Sequence, residues 1–239
     1  ESLERRVRIH VPRSISTFAS VGALALLLDA LVNHKDGLVR YKALRGLEQL
    51  ARETTLRIDS VPIFHELTRN CLEYLRLFSA KLSFESDRSI AGNLEAQLVT
   101  ELLDDKIQQS RERLTRLLQV LHRGDDIRSI FLALASPDHR LRGRAVEFLD
   151  ALIRGFHRSS DESAMLLRLV VDDLPAKERA ERAVALVGAF PDARAALDML
   201  SRDADKVVRE LSLRALEGLG PIQPREPLEQ LALLHEQPA

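Results

Sequence analysis

Apolar residues return at every third or fourth position along most of this chain, the spacing of helices that each bury one face. Leu24, Leu27, Leu28 and Leu31 predict a helix over about 15–33, with Ser14 or Ser16 placed to cap it, and a partner helix runs from Leu38 to about Arg52. The connection is short, so the two form an antiparallel hairpin. Pro62, in a first-turn position after Asp59 and Ser60, opens a helix with Phe64, Leu67, Cys71, Leu75 and Phe78 that fades near Ser83. Residues 84–93 read as a loop. Apolar positions then recur at Leu94, Leu98, Leu102, Ile107, Leu114, Leu118 and Leu121 until Gly124. They form either one helix of roughly 45 Å or two helices broken near Asp104 and Asp105. Asp125 or Asp126 caps a helix with Ile127, Ile130, Phe131 and Leu134 inward, and Ser136-Pro137-Asp138 turns into another that runs to about Phe156. Ser159, Ser160 and Asp161 start a further helix through Met165, Leu166, Leu169 and Val170. The last pair joins Ala193–Leu200 to Val207–Leu219, and Gly220-Pro221 closes it.

One register repeats within this pattern. Asp36, Arg40, Ala43, Leu44, Leu47 and Leu50 return as Asp138, Arg142, Ala145, Val146, Leu149 and Leu152, and again as Asp205, Arg209, Ser212, Leu213, Leu216 and Leu219. A degenerate copy counts from Asp173 through Ala180, Val184 and Val187, without the Arg. Asp138 and Asp205 stand 67 residues apart, about twice the period of a helical repeat. The 102 residues from Asp36 to Asp138 leave room for about two more units, taken up by the irregular long helices at about 59–123. The expected fold is therefore all-α, an α-solenoid of stacked antiparallel helix pairs over 15–220. A basic lead-in, residues 1–14, carries Arg5, Arg6, Arg8 and Arg13 and includes Pro12, a residue unsuited to a helix interior. A Pro-rich tail, 221–239, has Leu228, Leu231 and Leu234 at the spacing of one short helix.

Composition supports helices: only 4% of the 239 residues are aromatic and Trp is absent. The formal charge of −1 gives no overall excess of cations for nucleic acid, although a local basic face is compatible with it. Cys71 is the single cysteine and reads as a buried structural thiol. The longest apolar run, Val21–Leu28, is far short of the roughly 20 residues needed to span a bilayer. A start at Glu1 without a charged-then-apolar leader is what a piece of a longer protein would show.

The seven histidines include no pair three to five apart and there is no second cysteine, so no metal is expected. Gly-rich phosphate loops, nucleophile elbows and Cys–His signatures are missing, and no cofactor or catalytic role is assigned. The acidic doublets Asp104-Asp105, Asp125-Asp126 and Asp172-Asp173 read as helix caps and solvated faces. Asp36/Arg40, Asp138/Arg142 and Asp205/Arg209 are expected to be a structural ladder, each Asp capping its helix and each Arg bridging to a neighbouring repeat. Arg113, Arg116 and Arg123, with Gln109 on one helix face, are the candidate contacts for an anionic partner.

The Asp-x-x-Leu/Val-Arg turn between paired apolar helices resembles HEAT repeats, whose helix pairs form a right-handed superhelix. A more specific resemblance lies in Val11-Pro12-Arg13-Ser14-Ile15 followed by Asp36-Gly37-Leu38-Val39-Arg40-Tyr41-Lys42, and in Asp126-Ile127 followed by Arg142-Gly143-Arg144-Ala145-Val146-Glu147-Phe148-Leu149-Asp150. These segments look like the HEAT domain that follows the membrane part of bacterial transporters similar to the nucleotide (ATP/ADP) translocases of the major facilitator type. That resemblance implies a non-enzymatic interaction domain, cytoplasmic at the inner face of a bacterial membrane. Its partners would be the protein's own membrane domain or another protein, with peripheral contact to anionic lipid and no nucleic acid. The alternative is a HEAT-like nucleic-acid-binding enzyme of the alkyl-purine DNA glycosylase kind, or a free-standing scaffold similar to the lyase-type HEAT proteins. The absence of Trp and the near-zero charge weigh against the glycosylase.

Overall fold

The computed structural model describes residues 3–155 and 161–219, and within them the chain is all-helical. The basic lead-in folds into α1 (Leu3–Arg8) and α2 (Val11–Ile15). Pro12 sits in the first turn of α2, where a missing N–H costs nothing, and is buried. The first hairpin is α3 (Val21–Asn33) and α4 (Gly37–Glu53), so α3 starts later than its leucine spacing suggests. Its cap is Ser20, which accepts from Ala23 N, and neither Ser14 nor Ser16 plays that part. Gly46 lets α4 approach closely: a Cβ there would lie 3.2 Å from Leu27 and from Ser16.

Two long helices follow. The first, α5 (Ser60–Ser86), runs past the expected end near Ser83, and a 3-10 turn at Arg88–Ile90 buries Ile90 where a loop was expected. The second, α6 (Leu94–Leu121), is one unbroken helix. Asp104 and Asp105 lie exposed on its outer side, so they do not interrupt it, and it ends at a His122 cap before Gly124. The remaining helices are α7 (Ile127–Leu134), α8 (His139–Arg154), α9 (Asp161–Val171), α10 (Ala176–Val187), α11 (Ala193–Leu200) and α12 (Lys206–Gly218). The expected Gly220-Pro221 stop and the Pro-rich tail lie outside the described residues.

The packing is organised on the α5–α6 pair. These two meet along their length; α9, α10 and α11 also pack on α5, while α4, α7 and α12 pack on α6. The residue pattern of α5 explains its role. Beyond Leu67, Cys71 and Leu75 it buries Ile63, Glu66, Asn70, Tyr74, Leu77, Ala80 and Phe84, an arc too wide for one neighbour and suited to a helix surrounded by others. Strictly linear stacking limits each pair to contacts with its neighbours. Here the last pair reaches back to the centre through Ala193 N donating to Asp87 Oδ2 (3.0 Å) and Asn93 Nδ2 donating to Ala215 O (3.1 Å). Most of the buried apolar residues from Ala23 to Ala215 form one contiguous core.

Leu67, fully buried at this centre, is expected to cost about 2–5 kcal/mol when replaced by Ala, read as a lower urea midpoint. The neighbouring Cys71 thiol, whose ionisation burial suppresses, should react with a thiol reagent only as fast as the chain opens globally. Rapid native-state labelling would contradict this packing.

Candidate functional site

The repeated turn is a small hydrogen-bonding module. Asp36, Asp138 and Asp205 each accept from the backbone N–H two residues on, at 2.9, 2.8 and 2.9 Å. The residue two before each Asp accepts the Asp N–H on its side chain: His34 Nδ1 at 3.0 Å, Ser136 Oγ at 3.1 Å and Asp203 Oδ1 at 2.8 Å. The Arg four residues after each Asp then donates to that same residue's carbonyl: Arg40 to His34 O (3.1 Å), Arg142 to Ser136 O (2.8 Å) and Arg209 to Asp203 O (2.8 Å). The Args thus close their own turns. Among the described residues, only Arg142 of the three reaches a carboxylate of the next pair, Asp173 at 3.6 Å. The fourth turn, expected to lack an Arg, has one: Arg179 stands four residues after the cap Pro175 and donates to Leu169 O and Asp172 O. Counting from Asp173 missed it because the cap is two residues later.

The fold brings two of these turns to one charged cleft of about 320 Å³. The α3–α4 turn contributes Arg40, with Tyr41 beside it; the α11–α12 turn contributes Asp203 and Asp205; α5 contributes Glu66, Arg69, Asn70, Glu73 and Arg76; α6 contributes Lys106 and Arg113. Glu66 pairs with Arg69 and Glu73 with Arg76, each at 2.6 Å, and Lys106 bridges Asp203 (3.1 Å) and Asp205 (3.6 Å). Burial pushes the Glu66 carboxyl above its ordinary value, against the pull of Arg69, Arg40 and Arg113.

A second cleft, of about 540 Å³, lies on a neighbouring face of α4. It is lined by Arg13, Lys42, Arg45, Arg52, Arg116 and Arg128 and by a single carboxylate, Glu48, which Arg116 takes. Among the described residues the other five cations have no carboxylate within ion-pair distance.

The candidate anion contacts are therefore separated. Arg116 is consumed by Glu48 and Glu112 and lies 5.6 Å over the Tyr41 ring, whose hydroxyl donates to Glu112 at 2.7 Å. Arg123 donates to Thr54 O at 3.2 Å and to Leu56 O, fixing the α4–α5 connection. Arg113 faces the first cleft, and Gln109 is exposed. Lys42, Arg45, Arg52 and Arg128 were missed. Their signal is visible in retrospect, since Lys42, Arg45, Gln49 and Arg52 share one face of α4 at helical spacing. Among the described residues no group of three or more His, Cys, Asp or Glu side chains is placed to hold a metal ion, and no helix is long and apolar enough to cross a membrane.

Arg142→Met should destabilise the chain by about 1–3 kcal/mol, because it strips partners from the Ser136 and Pro137 carbonyls, and melting curves would show it. Glu66 gives a pH signature. Its raised affinity for a proton in the fold means that the cost of ionising it sets in as pH rises through the acid range and is complete at neutral pH. Glu66→Gln should raise the urea midpoint at neutral pH, with the gain vanishing in acid; a gain of equal size at both pH values would contradict this assignment.

No protein-family model matches the chain, and no curated protein or solved structure matches it either.

Proposed function

We propose that this chain is a non-enzymatic interaction domain built of HEAT-like helix pairs wound on a central hairpin. In this reading it works at the cytoplasmic face of a bacterial membrane beside a transporter domain, and it docks on anionic lipid through the cleft between α2, α4 and α7. The observation that carries the reading is the second cleft, in which six cations meet one carboxylate. Each Lys or Arg held near an anionic leaflet contributes about 1 kcal/mol, so five unpaired cations suffice for reversible binding. The adjoining segment supports a lipid surface in particular. Val7, Val11, Phe18 and Val21 are 58, 42, 65 and 70% exposed along the same α1–α3 stretch, giving apolar groups beside the charges as interfacial binding requires. Nucleic acid, the alternative, would meet the same phosphate-seeking cations, but among the described residues no Phe, Tyr or Trp lines the cleft to stack on bases.

Vesicle flotation tests the proposal. The chain should float with vesicles containing phosphatidylserine in phosphatidylcholine at low salt, stay behind with phosphatidylcholine alone, and be released by high salt. Replacing Lys42 and Arg45 together by Glu should weaken binding by about 30-fold or more, two contributions of about 1 kcal/mol being lost before any repulsion is counted. A wild-type chain that does not float at low salt would sink the proposal, and a DNA gel shift in place of flotation would transfer the cleft to nucleic acid.

A further inference from the structure

The first cleft has charge that its internal pairs do not use. Its four carboxylates are matched to Arg69, Arg76 and Lys106, leaving Arg40 and Arg113 with no carboxylate within ion-pair distance among the described residues. Arg40 spends one donor on His34 O. Arg113 is half-buried, and among the described residues its guanidinium has no hydrogen-bond acceptor. Five N–H donors deprived of part of their water and offered no acceptor in return are costly, and an entering oxyanion would relieve that cost.

We propose that this cleft is a binding site for a small phosphorylated ligand, whose phosphoryl oxygens are held between Arg40 and Arg113. The five cations of the cleft exceed its four carboxylates by one, and the two guanidinium groups without an ion-pair partner offer planar forks of N–H donors that suit the several oxygens of a phosphoryl group better than the two of a carboxylate. Burial is the largest cause of the weakened proton affinity of both, and the like charge of Arg69 weakens both further, against the opposing pull of Glu66 on Arg40 and of Glu73 on Arg113. The size of the cleft, about 320 Å³, admits a small metabolite and excludes a polymer or a bilayer. The Asn70 amide and Glu73 add polar groups that suit hydroxyls on the remainder of such a ligand.

The test is calorimetric titration of the whole chain with inorganic phosphate and, separately, with a sugar monophosphate, at fixed ionic strength, with chloride and sulfate as controls. The proposal expects saturable binding of the phosphorylated probes, tighter for the sugar monophosphate. Arg113→Met should weaken binding at least 10-fold, and Arg113→Lys, which keeps the charge and loses the planar fork, by less. The double Lys42 and Arg45 replacement in the other cleft should leave it unchanged, so that membrane docking and this site fail independently. No saturable binding by the wild-type chain would overturn the proposal whether or not the Arg113 variants fold. So would phosphate and sulfate effects no larger than that of chloride, or undiminished binding by Arg113→Met.

Discussion

Burying α5 on nearly every side is the constraint on which the rest of this structure depends. With few aromatic residues, the chain must build its core from many Leu, Val, Ile and Ala contacts, each burying modest area, and that works only if long helices offer continuous surface. The α5–α6 pair supplies it. Helix pairs that alone could not cover their apolar faces cover them by docking on this centre, which is why elements as distant in sequence as α4 and α12 share α6 as a neighbour.

The repeated turn solves the complementary problem at the periphery. A short connection between antiparallel helices leaves unpaired carbonyls at the end of one helix and unpaired N–H groups at the start of the next. The Asp satisfies the N–H groups, the Arg one helical turn on satisfies the carbonyl, and the polar side chain two residues before the Asp holds the Asp backbone in an extended conformation. His34, Ser136 and Asp203 perform this last task with three different chemistries. The requirement is an acceptor at that distance, which explains why the position does not stand out as a repeat.

The helices and the turns were legible because both depend on neighbours in sequence. Asp36, Asp138 and Asp205 cap where the repeat places them, and the apolar spacing locates the buried stripe of α5 and of the second half of α6, whereas in the first half Leu94 and Leu98 are exposed and Ala96, Val99 and Leu103 are buried instead. What was illegible depends on distant partners. Asp104 and Asp105 look like a break until their exposed outer position on α6 is known. Arg116 and Arg123 look free on a helical wheel, and their partners Glu48, Thr54 and Leu56 come from the preceding hairpin and its exit. Neither cleft could be read in advance, since Arg40 and Asp203 are brought together only by the return of the last pair to the centre.

The two clefts share one wall, and α4 is that wall. At 100° per residue, Val39, Ala43, Leu47 and Leu50 point into the core, Arg40, Tyr41 and Leu44 turn to the first cleft, and Lys42, Arg45, Gln49 and Arg52 turn to the second. Tyr41, Glu112, Arg116 and Glu48 run between them as a chain of hydrogen bonds and ion pairs, so the charge of Arg116 is neutralised where the clefts come closest. The first cleft is mostly balanced internally, with its unpaired guanidinium groups half-buried, and salt reaches it weakly. The second is a row of solvent-facing cations whose attraction ionic strength screens. Neighbouring faces of one helix therefore present two cation-bearing surfaces that differ in depth, in capacity and in their response to salt.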